Sequence, residues 1–422
     1  MSKKNYSPNA EAIDQAIADL AELTDSSAEG WTRKVLSEPY AEDRDFIQRR
    51  MTAAGREVRT DGAGNIIGRL PGTHGSNLKP LVTGSHTDTV HAGGRFDGIV
   101  GVLGALEAVE TLRKAGVQLR RDLYVVDFLV EEANDFGAMC VGSAAVTGDL
   151  NTTMLQGTNK EGLKLGQAFE RFGIDPNQAM HATWKSLSFH AYVELHIEQG
   201  PVLERSGSDI GVVTAITGTQ RFIAHFRGRP DHAGTTPMDI RRDAVAAAAE
   251  AVLTIEHESC QAPGHAVSTV GGFTVGDSAL NVVPDDVRID AEIRSIDAQW
   301  LTGAKRRLTE KLAADAERRG VAIVSEWLDG SLEPVLTTLP IRDHIAAAAE
   351  ELGLKWEPIP SGAGHDAQHM AKPGPMGMIF IQSHNGRSHC PEEFTETKHI
   401  VSGVKVLCET LRRLDESDFL SA

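Results

Sequence analysis

Several short stretches of this chain end apolar runs in side chains that bind metals or move protons. In GSHTDTV, His86 and Asp88 stand two apart at the end of a strand pattern, so both project from one face. An imidazole that binds a metal through one nitrogen usually gives its other N–H to a carboxylate or carbonyl, and Asp88 is placed to serve His86 in that way. Asp97 follows in HAGGRFDG, directly before a helical pattern, where taken alone it reads equally well as a helix N-cap. Glu131 and Glu132 close the apolar run DLYVVDFLV, where solvent cannot cheaply stabilise two carboxylates and a cation would. Adjacent extended residues face opposite sides, so one member of the pair suits a metal ligand and the other a general base, with a solvated acidic pair as the plain alternative. His196 in AYVELHIEQG and His389 in NGRSHCPEE again stand where apolar runs give way to polar residues. A lone histidine is more often structural. Together, however, His86, Asp97, Glu132, His196 and His389 are what two divalent ions sharing one bridging carboxylate require.

Other chemistries leave little trace. There is no G-x-S-x-G elbow, no G-x-x-x-x-G-K-[ST] phosphate loop and no complete G-x-G-x-x-G fingerprint, and SGAGHDA lacks the lysine and hydroxyl of a phosphate loop. Cys390 beside His389 is a poor nucleophile candidate because neighbouring extended residues face apart. Cys140, Cys260, Cys390 and Cys408 form no CxxC pair, so neither a disulfide framework nor a zinc knuckle is expected, and the thiols read as reduced. The 59 acidic against 42 basic residues give a formal charge of −17, which repels phosphate backbones and anionic lipid. No apolar run reaches the roughly 18 residues of a membrane span, and MSKKNYSPNAEAIDQ has no apolar segment behind its basic residues. A cytoplasmic protein without nucleic-acid or membrane partners is therefore expected.

The elements that must carry these side chains follow from periodicity. At 422 residues the chain is long enough for two or three domains. Residues 11–24 and 41–55 read as amphipathic helices, GNIIGRLPG and PLVTGSHTDTV as strands, and GIVGVLGALEAVETLRKAG as a buried helix. DLYVVDFLV reads as a strand covered on both faces of a mostly parallel sheet. From about residue 212 to 327 the order changes to β-α-β-β-α-β, a ferredoxin-like unit. After it come a helix (IRDHIAAAAEELG), the SGAGHDA loop, a strand (GMIFIQS) and a last helix. The expectation is an α/β domain of mostly parallel sheet over residues 1–211 and 328–422, with residues 212–327 inserted.

The combination GSHTDTVHAGGRFDG, the Glu131–Glu132 pair, HIEQG, DHAGTTPM, NVVPDDVRIDAEIR, SGAGHDA and NGRSHCPEE resembles the N-carbamoyl-L-amino-acid hydrolase, β-ureidopropionase and allantoate amidohydrolase group. That group belongs to the dinuclear zinc aminoacylase and carboxypeptidase superfamily, and the resemblance spans nearly the whole chain. It implies a metallohydrolase with two divalent ions per subunit, Zn2+ or Mn2+, with Co2+ or Ni2+ as further candidates. His86, Asp97, Glu132, His196 and His389 become the ligands with Asp97 bridging, Glu131 the base, and Asp88 the carboxylate behind His86. The inserted unit becomes a lid and homodimerisation domain whose His232 stabilises the oxyanion. Asn281 and Arg294 are implied to hold a substrate carboxylate, and Gln199 and His365 to line the pocket. Two departures stand out. EEANDFG replaces the group's usual EEGSRF, losing an arginine near the base, and Cys390 replaces a serine. The implied reaction removes the carbamoyl group of a small ureido acid, releasing amine, ammonia and carbon dioxide. The rivals are an allantoate or ureidoglycolate amidohydrolase, an N-acyl-amino-acid or dipeptide hydrolase on the same scaffold, and an inactive binding homologue.

Overall fold

The computed structural model describes residues 6–184, 189–328 and 332–418. Two compact units account for them. One comprises the chain through Thr214, Thr337–Ile359 and the chain from His365 onwards, and the other Ala215–Leu336 with Pro360–Gly364.

In the first unit, β1 (Glu57–Thr60), β2 (Ile66–Leu70), β3 (Leu81–His86), β4 (Leu123–Phe128), β5 (Ala191–Ile197) and β6 (Ile210–Ile216) come from the earlier part of the chain. A late strand, Met376–Ile381, inserts between β5 and β6. The spatial order is β1, β2, β4, β3, β5, the late strand, β6. Only its centre is parallel. The β4–β3, β3–β5 and β5–late-strand pairs run parallel, whereas β1–β2, β2–β4 and late-strand–β6 run antiparallel. The sheet is thus mixed rather than mostly parallel: a short turn joins β1 to β2, while β2–β4 and late-strand–β6 bring together strands distant in sequence that run in opposite directions. Every residue of β3, β5 and the late strand is buried, as strands covered on both faces must be, and their continuous apolar runs reflect it. The helices Ile99–Lys114 and Thr397–Glu416 bury long apolar faces in the same core.

Parallel central strands have a consequence for function: their carboxyl ends lie at one edge of the sheet, where open α/β folds bind ligands. His86 is the last residue of β3 and pairs in register with Phe128, the last of β4, while His196 in β5 pairs with Phe380 of the late strand. The strand expected through residue 130 stops at Phe128. Val130 has φ +55°, a left-handed conformation that a β-branched residue adopts only under constraint. The constraint is visible: the Leu129 N–H donates to Asn65 Oδ1 at 2.9 Å and the Val130 N–H to the Tyr40 hydroxyl at 3.3 Å. The first helix is Ala10–Ala21, and the second starts early, at Glu38, because Ser37 Oγ accepts the Tyr40 N–H and Pro39 fits the first turn.

The second unit reads β7 (Gly218–Arg227), helix Ala244–Cys260, β8 (Ala266–Val275), β9 (Asp286–Ser295), helix Ala298–Arg318, β10 (Ala322–Trp327). Its four strands are antiparallel in the order β10-β7-β9-β8. Phe222, Phe226, Val287 and Ile289 pack with both helices in a separate core. Among the described residues, no helix is long and apolar enough to cross a membrane.

Candidate metal centre

Two trios of ligand atoms meet at the carboxyl edge of the first unit's sheet: His86, Asp97 and His196, and Asp97, Glu132 and His389, each with its atoms within 4.8 Å of one another. Asp97 belongs to both, one oxygen to each. Its Oδ1 lies 3.1 Å from His196 Nε2 and 3.9 Å from His86 Nε2, and its Oδ2 lies 3.0 Å from His389 Nε2. His389 Nε2 also stands 3.5 Å from Glu132 Oε1. Asp97 is not the N-cap of the following helix, since Gly98 holds that place with φ +68°. A Cβ on Gly98 would come within 2.4 Å of the His86 ring, so only glycine lets the loop approach this closely.

The donor set fits divalent ions. His196 gives its Nδ1 to the Ile197 carbonyl at 2.8 Å, and His86 its Nδ1 to the Asp88 carbonyl at 3.1 Å. This leaves His196 Nε2 toward Asp97, where it also accepts the Gly98 N–H at 3.2 Å, and His86 Nε2 between Glu131 and Asp97. Burial holds Glu131 well above the ordinary carboxylate range, with His86 opposing and Glu132 adding to the effect. Burial, then the charge of Asp97, pushes Glu132 up to about 8. Although burial acts the other way, hydrogen bonds from His196 and His389 hold Asp97 well below that range. His389, about half exposed, is pushed up to about 9, first by its hydrogen bond to Asp97. Buried carboxylates facing imidazoles without a cation shift their protons in this way, and an ion would take the protons' place.

Glu131 sits differently from Glu132. Its Oε2 is 3.6 Å from His86 Nε2, and its Oε1 accepts the Cys140 thiol at 3.3 Å. The Asp88 carboxylate is 3.6 Å from His86 Nδ1, so its closest contact to that ring runs through its carbonyl, and its oxygens serve the Glu131 and Glu132 main chain instead.

Gln199, at φ +60°, donates Nε2 to Asp97 Oδ2 at 2.7 Å, and its buried Oε1 has no hydrogen-bond partner. His365 is buried edge-on against His196, ring centroids 4.6 Å apart, and forms a further compact trio with Glu194 and His196. Ser85 and Tyr192 donate to Glu194 at 2.7 and 2.8 Å. In the departure EEANDFG, Asn134 folds the loop on itself: Nδ2 donates to the Glu132 and Ala138 carbonyls and Oδ1 accepts the Phe136 N–H. Asp135 faces Lys160 at 3.8 Å across a groove of about 740 Å3.

In the second unit, the Ala233 N–H donates to the Asn281 carbonyl at 2.9 Å, which ties the exposed His232 and Asn281 together. His232 Nδ1 accepts the Gly234 N–H at 3.0 Å. Arg294 is already paired, with Nε to Glu292 at 2.8 Å and Nη1 to the Gly362 carbonyl at 2.9 Å.

Sequence reasoning passed over Cys140 and Glu393. No spacing rule finds Cys140, which lies nine residues from Glu131; Glu393 stood in the NGRSHCPEE stretch, an acid four residues past a candidate ligand.

A family model described as Peptidase family M20/M25/M40 matches residues 74–413. An N-carbamoyl-L-amino acid amidohydrolase of Geobacillus stearothermophilus is 35% identical over 408 residues, covering 97% of this chain and 99% of that one. A ureidoglycolate hydrolase of Oryza sativa subsp. japonica is 34% identical over 411 residues, covering 96% and 85%. The crystal structure of an amidase of the hydantoinase/carbamoylase family from Burkholderia multivorans matches with a TM-score of 0.90 at 31% identity, covering 99% of this chain and 100% of that one.

Proposed function

The chain belongs to peptidase family M20/M25/M40, and from that premise we propose that it is a metal-dependent amidohydrolase cleaving the carbamoyl C–N bond of ureido acids, N-carbamoyl-L-amino acids first among them. The observation that carries the reading is Asp97, whose two oxygens face two separate trios of ligand atoms.

His86, Asp97, Glu132, His196 and His389 would hold two divalent ions, Zn2+ or Mn2+ by donor type, which would supply Lewis-acid charge to acidify a water and polarise the carbamoyl oxygen. Glu131 is the general base. Its Oε2 faces the ligand cluster while the thiol holds Oε1, so one oxygen stays available to take the water's proton and deliver it to the departing amine. The water oxygen bonds to the carbamoyl carbon, the C–N bond to the amino acid breaks, and the carbamate released falls to ammonia and carbon dioxide. Asp88 keeps both glutamates in place through their main chain. Gln199 Oε1, an acceptor without a partner, suits a ureido N–H, and His365 packs edge-on behind His196. His232 is assigned to the developing oxyanion and Asn281 with Arg294 to the substrate carboxylate. Arg294 must then share its Glu292 contact with substrate.

The reading includes a homodimer. β8 is an edge strand with Val267, Phe273 and Val275 exposed, and Leu253 on the neighbouring helix is exposed as well. Apolar side chains on an open sheet edge invite a partner, and a second copy is the one we assign. Four unpaired cysteines suit the cytoplasm.

The relatives named for N-carbamoyl-L-amino acids and for ureidoglycolate match at almost equal identity, so the test is a panel: carbamoyl amino acids, ureidoglycolate, allantoate, β-ureidopropionate, N-acetyl amino acids and dipeptides. Ureido acids should exceed acyl and peptide substrates by about a hundredfold or more in kcat/KM. Equal or faster cleavage of peptides or N-acyl amino acids overturns the proposal.

A further inference from the structure

His389 is the least supported of the proposed ligands. Like Asp97 and Glu132 it lies in no strand or helix, but unlike them its side chain is about half exposed, and its backbone takes φ +55°. Something other than regular structure must hold it against Asp97. Glu393, four residues on and buried, makes that connection. Its Oε1 accepts the main-chain N–H groups of Phe96 at 2.9 Å and of Asp97 at 3.0 Å, and its Oε2 accepts the Ser388 hydroxyl at 2.7 Å. Ser388 Oγ stands 3.3 Å from Asp97 Oδ2.

The two loops have grown into each other at this point. A Cβ on Gly94 would lie 2.0 Å from Glu393 Oε1, so the carboxylate enters a space that only glycine leaves. The Glu393 N–H closes a turn onto the Cys390 carbonyl at 3.1 Å, and Phe394 packs edge-on against Phe96 with centroids 5.6 Å apart. A buried carboxylate placed beside Asp97 is electrostatically unfavourable, and three accepted hydrogen bonds are what offset it. The first trio leans on the strut less, because His86 ends β3 and His196 lies within β5, and only the shared Asp97 stands on a loop.

We propose that Glu393 is a positioning residue that ties the His389 loop to the Asp97 loop, so that the second ion's site, formed by Asp97, Glu132 and His389, assembles only when Glu393 is in place. This rests on the two-ion reading above. Outer partners of metal ligands are worth about ten- to a hundredfold in metal affinity. Glu393→Ala should therefore lose that much at the site of Asp97, Glu132 and His389, and less at the site of His86, Asp97 and His196, where only the shared Asp97 depends on Glu393. Glu393→Gln should retain most of the affinity, because its amide oxygen still accepts both N–H groups.

The test titrates ion-free parent, Glu393→Ala, Glu393→Gln and Ser388→Ala with Zn2+ against a chromophoric chelator, with circular dichroism and thermal melting as folding controls. The expected result is two ions per parent chain and a selective loss of the weaker one in Glu393→Ala and, about three- to tenfold, in Ser388→Ala. If Glu393→Ala does not fold, Ser388→Ala carries the same reading. A parent that binds only one ion overturns the two-ion premise. A parent that binds two, with Glu393→Ala and Ser388→Ala unchanged or weakened equally at both sites, overturns the role of Glu393 alone.

Discussion

Asp88 Oδ2 accepts the main-chain N–H of Glu132 at 3.0 Å, and its other oxygen accepts that of Glu131 at 3.2 Å. One carboxylate thus fixes the peptide planes of both the proposed ligand and the proposed base. Asp88→Ala frees them together. We predict about a ten- to hundredfold loss of metal affinity, accompanied by a fall in kcat. Titration of the purified variant that finds parent-like ion binding would show that Asp88 does not hold the pair.

Glu131 and Glu132 are neighbours with different surroundings, so their substitutions should separate. Glu131→Gln should lower kcat by about a hundredfold or more while keeping the parent's metal content, as removal of a general base does. Glu132→Gln should lose metal as well. Elemental analysis beside kinetics reads both, and substantial kcat in Glu131→Gln means that the base lies elsewhere.

The proton shifts at the centre set a pH dependence. Glu132, ordinarily near 4.5, is raised to about 8, and His389, ordinarily near 6.5, to about 9. Each therefore stabilises the ion-free fold fully below its ordinary pKa and loses that contribution as pH rises through its raised value. Ion binding needs both groups unprotonated, so it releases protons and tightens with rising pH. Chelated protein should lose thermal stability between about pH 5 and 9, and the gain in Tm on adding Zn2+ should be larger near pH 8.5 than near pH 6. A gain that shrinks with rising pH contradicts the assignment of these two ligands.

Much of this was legible because ligand chemistry collects where apolar runs end. His86, Glu132 and His196 were marked by the strand patterns before them, and parallel central strands bring such ends together. The β-α-β-β-α-β order of residues 218–327 was readable from alternating periods. Val130 was not, because its apolar side chain continues the strand pattern while Asn65 and Tyr40, far away in sequence, take its backbone out of it. The edge pairings were likewise hidden, since the direction in which β2 meets β4 is decided by tertiary contacts. Asp97 alone was an N-cap candidate, and only the histidines His86, His196 and His389 around it distinguish it. The link from Glu393 to Asp97 spans 296 residues and has no local signature.

His232 tests the oligomer. We assign it to the active site of the partner copy, so His232→Ala and Glu131→Gln chains, each inactive, should regain part of the parent's activity when mixed under conditions of verified subunit exchange. The measurement is ammonia release from a carbamoyl amino acid. No recovery in exchanged dimers places His232 in its own chain's chemistry or outside it.

The most direct test of the dinuclear reading is a reconstitution titration. Protein stripped by chelator is loaded with Zn2+ or Mn2+ in steps, and ammonia release from an N-carbamoyl-L-amino acid is followed at each step. We predict no turnover without metal and a plateau reached at two ions per chain, the stoichiometry expected of two trios that share Asp97. Full activity in the stripped protein, or a plateau at one ion, would contradict it.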